Sequence, residues 1–230
     1  MSLLAIDTAT EACSVALETD QGQFTRFEVA PREHARLCLP MIESVLEESG
    51  TVREEIEWIA FGRGPGAFTG VRVATGIAHG LATGLGVGLY PISTLAAMAA
   101  RAFAEEGVET VLTCLDARMK EVYWAGFQRN ADGLPQPIIP EQVCGPDAVE
   151  GPEVGLERSL GVGRGWAAYP EALRKALDQM PGSVEAERFP MAIDMLTLAR
   201  AQNEAGQGPI PPEQAQPVYL RDQVVQGKVG

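Results

Sequence analysis

The stretch LLAIDTATEACSVALET, from Leu3 to Thr19, contains two apolar runs separated by a short polar bend. The first run ends at Asp7, and a bend rich in threonine leads to the second run, which begins at Ser14. Apolar runs of this length that are bounded by turn residues are typical of β-strands. We therefore predict a strand–turn–strand hairpin with an aspartate at the end of its first strand.

The segments that follow alternate between strands and helices. QFTRFEVA is predicted to be a third strand, and PREHARLCLPMIESVLEESG a helix with a proline near its start and a glycine at its end. IEWIAFGRGPG is predicted to be a strand that leads into a helix from Ala67 to about Gly84, and GVGLYPIS and TLAAMAARAFAEEG supply one more strand and helix. The order βββαβαβα predicts an α/β lobe over residues 1–105.

The same pattern begins again in the second half of the chain. TVLTCLDARMKEVYWAGFQ has the order strand, aspartate, turn, strand, so that Asp7 can be aligned with Asp116. Strand–aspartate–turn–strand is a common pattern, and the match alone leaves the repeat open. The next segment, GLPQPIIPEQVCGPDAVEGPE, is rich in proline and glycine and predicts a loop around one or two short strands. The hypothesis is a second, degraded lobe over residues 106–230.

Composition and charge limit the classes of function. The 230 residues include 18 Lys and Arg against 31 Asp and Glu, a formal net charge of −13. Because Lys and Arg neutralise phosphates in non-specific nucleic-acid binding, any role on RNA should need a partner's basic surface. Taken alone, the charge favours a simpler interpretation, namely an acidic protein whose charge only keeps its molecules dispersed in solution. No apolar run reaches the ~18 residues of a membrane span, and no secretory signal is evident. Four cysteines without a C-x-x-C pair favour a cytoplasmic setting without a metal site.

A glycine-rich stretch, GRGPGAFTGVRVATGIAHG from Gly62 to Gly80, joins a predicted strand to a predicted helix. It lacks the lysine of a P-loop, and the next strand has no acidic residue for a dinucleotide's ribose. Two interpretations remain for this loop. Unpaired N–H groups at a helix start favour anions, so the loop could bind a phosphate. The slightly favoured alternative is a tight strand-to-helix turn that needs the glycines only for their backbone freedom. The candidate nucleotide or phosphate ligands are Asp7, Thr8, Thr10, Gly64, Gly66, Thr69, Arg72 and Asp116.

Two helices carry small or apolar residues beyond those of an obvious core. Gly76, Gly80 and Gly84 recur every four residues, although each costs about 1 kcal/mol relative to alanine inside a helix. Such a stripe lets another backbone approach closely, either the protein's own sheet or a partner. On the preceding helix, Leu37 and Met41 lie about 60 to 80° from the main apolar face, on a flank that suits a subunit contact or the edge of a wide core stripe. That predicted core face consists of Ala35, Cys38, Leu39, Ile42, Val45 and Leu46.

No catalytic set stands out. The two histidines belong to no recognisable nucleophile–base pair. The acids at the hairpin bends, including Glu11 and Glu121, suit either Mg²⁺-water contacts or local backbone bonding.

Taken together, LLAIDTATEACSVAL, FGRGPGAFTGVRVATGIAHGLA, STLAAMA, LDARMKEVYWAGF and PVYLRD resemble the bacterial TsaB (YeaZ) family. The resemblance covers nearly the whole chain and is weaker between about Leu134 and Gly182. It implies the two-lobed actin-like ATPase fold (sugar kinase, Hsp70, actin), which agrees with the repeat of the βββαβαβα pattern. It also implies that the helix at 190–206 packs back on the first lobe.

The resemblance implies a function in making N6-threonylcarbamoyladenosine in tRNAs that read ANN codons. It implies an accessory, non-catalytic subunit that pairs with and activates its paralogue TsaD, the transferase, with TsaE as the ATPase of the complex. Binding of tRNA would occur only through the complex, and the isolated protein would form a homodimer. The implied interface lies on the first two helices of the N-terminal lobe. Its candidates are His34, Leu37, Met41, Val73, Gly76, Ile77, Gly80, Leu81 and Gly84, of which Leu37 and Met41 also follow from helix geometry.

The resemblance also implies what is missing. TsaD carries H-M-E-G-H where this chain reads STLAA, so Ser93 and Ala97 stand in place of two metal-binding histidines. Neither side chain is a metal ligand. No cofactor of its own is expected, although weak binding of ATP or ADP with Mg²⁺ at the cleft or the partner interface is left open. The alternatives are an actin-like-fold ATPase or small-molecule kinase and, least favoured, a metallopeptidase.

Overall fold

The computed structural model describes residues 2–221, and Met1 and residues 222–230 lie outside that description. The predicted order of elements in the first lobe is confirmed. The elements are β1 Ser2–Asp7, β2 Ala12–Thr19, β3 Gly22–Val29, α1 His34–Ser49, β4 Ile56–Gly64, α2 Phe68–Leu85, β5 Gly88–Ser93 and α3 Thr94–Glu106. The five strands form one sheet in the order β3-β2-β1-β4-β5, where β1 is antiparallel to β2 and parallel to β4.

The second lobe repeats this topology in reduced form. Its elements are β6 Thr110–Arg118, β7 Glu121–Arg129, β8 Pro135–Cys144, β9 Ser159–Val162, α4 Gly165–Ala168, α5 Pro170–Ala176, β10 Ser183–Glu185 and α6 Ala192–Glu204. The sheet order β10-β9-β6-β7-β8 places β6 where the first sheet has β1, again antiparallel to the next strand and parallel to β9. Residues 145–158 stand where the first lobe has helix α1 and contain no helix. The degraded repeat is therefore confirmed.

The central strand β1 of the first sheet is buried on both faces, which explains why it is a continuous apolar run rather than an alternating one. Leu4 and Ile6 of β1 face the layer of α1 and α2. Leu3 and Ala5 face the opposite layer, where they pack with apolar side chains of α6.

The last helix of each half packs against the sheet of the other half. Helix α3 follows the first sheet in sequence, yet Phe103 and its neighbours pack with side chains of the second sheet such as Val111 and Phe127. Helix α6 follows the second sheet, yet it contacts β1, β2 and β4 of the first sheet. The two helices also contact each other, so they form the joint between the lobes. The domain boundary at residue 105 stays a prediction.

The proline-rich segment differs from its prediction. Instead of a loop around short strands, it holds the ten-residue strand β8 at the edge of the second sheet. Pro135, Pro137 and Pro140 are tolerated because an edge strand pairs along one side only, so its other N–H groups are not needed for the sheet. Among residues 2–221, no helix is long and apolar enough to cross a bilayer.

The buried stripe of α1 also differs from its prediction. Cys38, Ile42, Val45 and Leu46 are buried as expected. Ala35 and Leu39 were assigned wrongly, because both are exposed and Leu39 retains 47% of its accessible surface. The stripe instead includes two polar residues that hydropathy leaves out, namely His34 and Ser49.

Candidate functional site: the glycine-rich loop and the outer helix face

The turn between β4 and α2 lies directly against the turn between β1 and β2. The backbone N–H of Ala67, at the start of α2, donates to the carbonyl of Ala9 at 2.7 Å. A Cβ atom on Gly66 would lie 2.3 Å from that carbonyl oxygen, and one on Gly70 would lie 1.9 Å from the carbonyl oxygen of Thr8. These glycines therefore give the neighbouring turn the room that it needs.

Asp7 lies at the end of β1 beneath the glycine-rich loop and is only 1% exposed. Its Oδ1 accepts the N–H of Ala9 at 3.0 Å, and its Oδ2 accepts the hydroxyl of Thr94 at 3.1 Å. A Cβ atom on Gly62 would lie 1.9 Å from Oδ2. Burial disfavours the charged form and raises the pKa of Asp7 from 3.8 to about 6, although both hydrogen bonds act in the opposite direction.

We expect the raised pKa of Asp7 to lower the free energy of unfolding as the pH rises from about 4 to about 6. In this range the folded protein holds a proton on Asp7 that the unfolded chain has lost, so stability falls with rising pH. Asp7→Asn should flatten the slope and stabilise the protein by about 2 kcal/mol at pH values above 6, since the amide has no charge to desolvate, its oxygen can accept the N–H of Ala9 and its NH2 can donate to the hydroxyl oxygen of Thr94. Urea unfolding across this pH range measures the effect.

The matched control for this experiment is Asp132→Asn, which changes an exposed aspartate. It should keep the wild-type slope. Part of the slope will remain in Asp7→Asn, because burial also raises the pKa of Asp194, to about 7. Equal slopes for Asp7→Asn and the wild type would contradict the prediction.

Two of the other predicted phosphate ligands are buried in the turn between β1 and β2. The hydroxyl of Thr8 donates to the carbonyl of Gly70 at 2.7 Å. Oγ1 of Thr10 accepts the N–H of Ala12 at 3.3 Å. Both side chains therefore bind the protein's own backbone.

Thr69 and Arg72 lie on the exposed side of α2. The guanidinium carbon of Arg72 lies 3.3 Å from the ring centroid of Phe68 and 4.8 Å from that of Tyr219. Arg72 also donates to the carbonyl of Phe68 at 3.1 Å. Its planar group is thus stacked between two rings.

Asp116 lies across the cleft, at the end of β6, where it accepts the hydroxyl of Tyr169 at 3.1 Å. The two lobes are joined nearby by ion pairs of Glu11, whose Oε1 lies 3.6 Å from Arg118 and 3.7 Å from Arg164. The sequence showed Glu11 at a bend but contained no signal for these partners, which lie more than a hundred positions away. The predicted phosphate ligands are thus distributed over both lobes rather than assembled in one open cradle.

The two positions aligned with the metal-binding histidines serve the fold. Ser93 is the N-cap of α3, because its hydroxyl oxygen accepts the N–H of Ala96 at 3.0 Å. The same hydroxyl donates to Glu141 of the second lobe, which also pairs with Arg63 at 3.0 Å. Ala97 is completely buried. Between residues 2 and 221, no three His, Cys, Asp or Glu side chains are grouped as metal ligands.

Helices α1 and α2 lie side by side on the first sheet, with α1 against β2 and α2 against β4. Their outward side combines half-buried apolar residues with exposed glycines. A Cβ atom on Gly76, Gly80 or Gly84 would meet nothing within 4 Å. The three glycines therefore do not serve to let the protein's own sheet approach α2 closely. We call this surface the outer helix face, and it consists of Leu37, Met41, Val73, Gly76, Ile77, Gly80, Leu81 and Gly84.

His34 does not belong to this surface. It is 8% exposed, and its Nε2 is buried without a hydrogen-bond partner in the part of the chain that the structure describes. Its position at the start of α1 places it on the buried stripe of that helix.

Two lobes of matching topology, joined by exchanged helices, define a protein with the actin-like ATPase fold. The family model described as "TsaD: tRNA N6-adenosine threonylcarbamoyltransferase" matches residues 27–190. The "tRNA threonylcarbamoyladenosine biosynthesis protein TsaB" of Escherichia coli (strain K12) is 43% identical over 231 aligned positions, which cover 100% of this chain and 98% of that protein. The protein of the same name from Haemophilus influenzae is 41% identical and covers 100% and 97% of the two chains.

The solved structure "YeaZ from Pseudomonas aeruginosa" superimposes with a TM-score of 0.88 at 42% identity, over 95% of this chain and 99% of that one. The chain therefore belongs to the TsaB (YeaZ) family. Its similarity to the TsaD model is consistent with two paralogues of common descent.

Proposed function

We propose that this protein is the accessory subunit of the complex that makes N6-threonylcarbamoyladenosine in tRNAs reading ANN codons. In this proposal it heterodimerises with TsaD through the outer helix face and activates it, and TsaE joins as the ATPase of the complex. The observation that carries the proposal is the open space above Gly76, Gly80 and Gly84. Three glycines on one face of a helix cost about 3 kcal/mol in total relative to alanine, and no contact in the described fold requires them.

The chemistry of the outer helix face fits a helix of a partner. Glycines allow a second backbone to approach closely, and the half-buried Val73, Ile77 and Leu81 beside them provide apolar area for the partner to cover. Leu37 and Met41 extend this area onto α1. Because the face is shared by two neighbouring helices, a second copy of the chain can occupy it in the absence of TsaD, which supports the proposed homodimer.

A non-catalytic role is supported by the two positions that replace the metal ligands of TsaD. Ser93 caps a helix and Ala97 is buried in the core. Binding of tRNA is assigned to the complex as a whole, because a chain with a net charge of −13 is a poor ligand for phosphates by itself. A cytoplasmic location, where tRNA is modified, belongs to the same proposal.

We propose that any weak binding of ATP or ADP with Mg²⁺ occurs at the partner interface rather than in the cleft between the lobes. The backbone N–H of Ala67, the N-cap of α2, is taken by the carbonyl of Ala9, and the carboxylate of Asp7 is buried. An ATPase or sugar-kinase function would need both groups to face a nucleotide. Turnover of ATP by the isolated protein would favour that alternative.

We expect threonylcarbamoyl transfer to unmodified tRNA to depend on this protein when TsaD, TsaE, ATP and TsaC, the enzyme that supplies threonylcarbamoyl-AMP, are present. Leu37→Glu should reduce the transfer rate by at least about tenfold, because a charge in the apolar contact would be buried without a partner. Incorporation of labelled threonine into tRNA measures the rate.

The control is Leu39→Glu, on the same helix but outside the outer helix face, which should retain the wild-type rate. Transfer that proceeds equally well without the protein would refute the proposed function. Equal loss in both variants would refute the position of the interface.

A further inference from the structure

The end of the described chain crosses from one lobe to the other. After α6, Ile210 forms two backbone hydrogen bonds with Leu89 at the free edge of β5, at 2.8 and 2.9 Å. The chain then passes over the glycine-rich loop, where the N–H of Val218 donates to the carbonyl of Arg63 at 2.8 Å. This places residues 218–221 at the mouth of the cleft.

On the first lobe, the crossing segment is held by an aromatic contact. The ring centroids of Tyr219 and Phe68 are 6.2 Å apart, and Arg72 is stacked over both rings. Phe68 and Arg72 belong to the first turns of α2. Tyr219 therefore binds the same helix end that the glycine-rich loop positions.

On the second lobe, the segment is held by Arg221. Its guanidinium donates to the carbonyl of Ala117 at 3.1 Å and pairs with the carboxylate of Glu121. A further contact joins it to the sulfur of Met119 at 3.4 Å. All three acceptors belong to the tip of the β6–β7 hairpin.

That hairpin tip has an unfavourable backbone. Arg118, Met119 and Lys120 have φ values of 61°, 56° and 62°, a conformation in which glycine and asparagine are usual and long side chains are rare. Met119 is also 78% exposed, so it is not held by the core. The tip is held by Asp116, which accepts the N–H of Arg118 at 2.8 Å, by the ion pair of Arg118 with Glu11, and by Arg221.

We propose that residues 218–221 form a clasp that fixes the first turn of α2 to the β6–β7 hairpin, so that the two lobes keep one relative arrangement without a ligand between them. The clasp has one side-chain anchor on each lobe, Tyr219 and Arg221, separated by a single residue. Two lobes tied by so short a segment are energetically coupled, and coupling between two sites is reciprocal. Release of either anchor should therefore loosen the opposite lobe as well as its own.

Hydrogen–deuterium exchange of the full chain tests this reciprocity. Tyr219→Ala removes a contact with the first lobe, and it should raise the exchange rate of the Arg118 N–H in the second lobe by at least about tenfold. Arg221→Ala removes contacts with the second lobe, and it should raise the exchange rate of the Ala67 N–H in the first lobe by a similar factor.

The matched control is Arg158→Ala, which removes a surface ion pair with Glu109 in the second lobe, away from the clasp. It should leave both amides unchanged. Tyr219 is exposed, and Arg221 is half-buried but lies outside the apolar cores of both lobes, so both variants should fold, and an unchanged melting temperature within about 3 °C checks this. The clasp is refuted if each variant accelerates exchange only in the lobe that it touches, or if neither variant changes either amide.

Discussion

Gly80→Leu is expected to abolish the complex with TsaD while making the isolated protein more stable. A leucine at the centre of the outer helix face would hold the two backbones apart, and we expect the dissociation constant to rise by at least about 100-fold, which corresponds to about 2.7 kcal/mol. Within the chain, a Cβ atom at this exposed position meets nothing within 4 Å. The leucine also replaces a glycine inside a helix, so the free energy of unfolding should rise by about 0.8 kcal/mol. Isothermal titration with TsaD and urea unfolding of the isolated variant measure the two effects.

The opposite signs make this variant informative, because loss of binding could not be attributed to loss of the fold. Gly155→Leu is the matched control, since a Cβ atom at this exposed position of the second lobe also meets nothing within 4 Å. It should bind TsaD as the wild type does. Retention of full affinity by Gly80→Leu would show that the outer helix face is not the contact.

Gly70→Ala and Gly76→Ala should change the stability of the protein in opposite directions, although both glycines lie on α2. The methyl group at position 70 would lie 1.9 Å from the carbonyl oxygen of Thr8, within a turn that is itself bonded to the start of α2. A backbone atom cannot move aside as a flexible side chain can, so we expect a loss of about 3 kcal/mol. At position 76 the methyl group meets open space, and we expect a gain of about 0.5 to 1 kcal/mol.

Urea unfolding of the two variants under one set of conditions measures the difference of about 4 kcal/mol between them. Each variant serves as the control for the other, because the substitution and the helix are the same. Two changes of the same sign would mean that helix propensity, rather than the approach of the β1–β2 turn, sets the need for glycine in this segment.

The order of elements could be predicted because each signal is local. The apolar run before Asp7, the threonine-rich bend and the glycine that ends α1 all act within a few residues. The errors arose where local preference was overridden. Three prolines hid the edge strand β8, and the buried polar residues His34 and Ser49 shifted the stripe of α1 away from Leu39.

The function of the glycines shows the limit of sequence patterns most clearly. From sequence alone, Gly66 is assigned to the turn before α2 and Gly76 to the interior of that helix, but neither pattern shows which atoms the glycine would face. In the fold, Gly66 leaves space for the carbonyl of Ala9, whereas Gly76 faces open space. Contacts between distant positions, such as the pairing of Glu11 with Arg118 or the stacking of Tyr219 on Phe68, leave no local trace and could not be predicted.

The exchange of α3 and α6 between the sheets has a consequence for how the chain folds during synthesis. When the first sheet has been synthesised, helix α6, which covers one of its faces, has not yet been made. Leu3, Trp58 and Tyr90 on that face therefore stay uncovered until residues 192–204 are synthesised. The first half is thus an incomplete folding unit that exposes an apolar surface until the chain is nearly finished. The two halves of matching topology therefore complete their folding together, as a single unit.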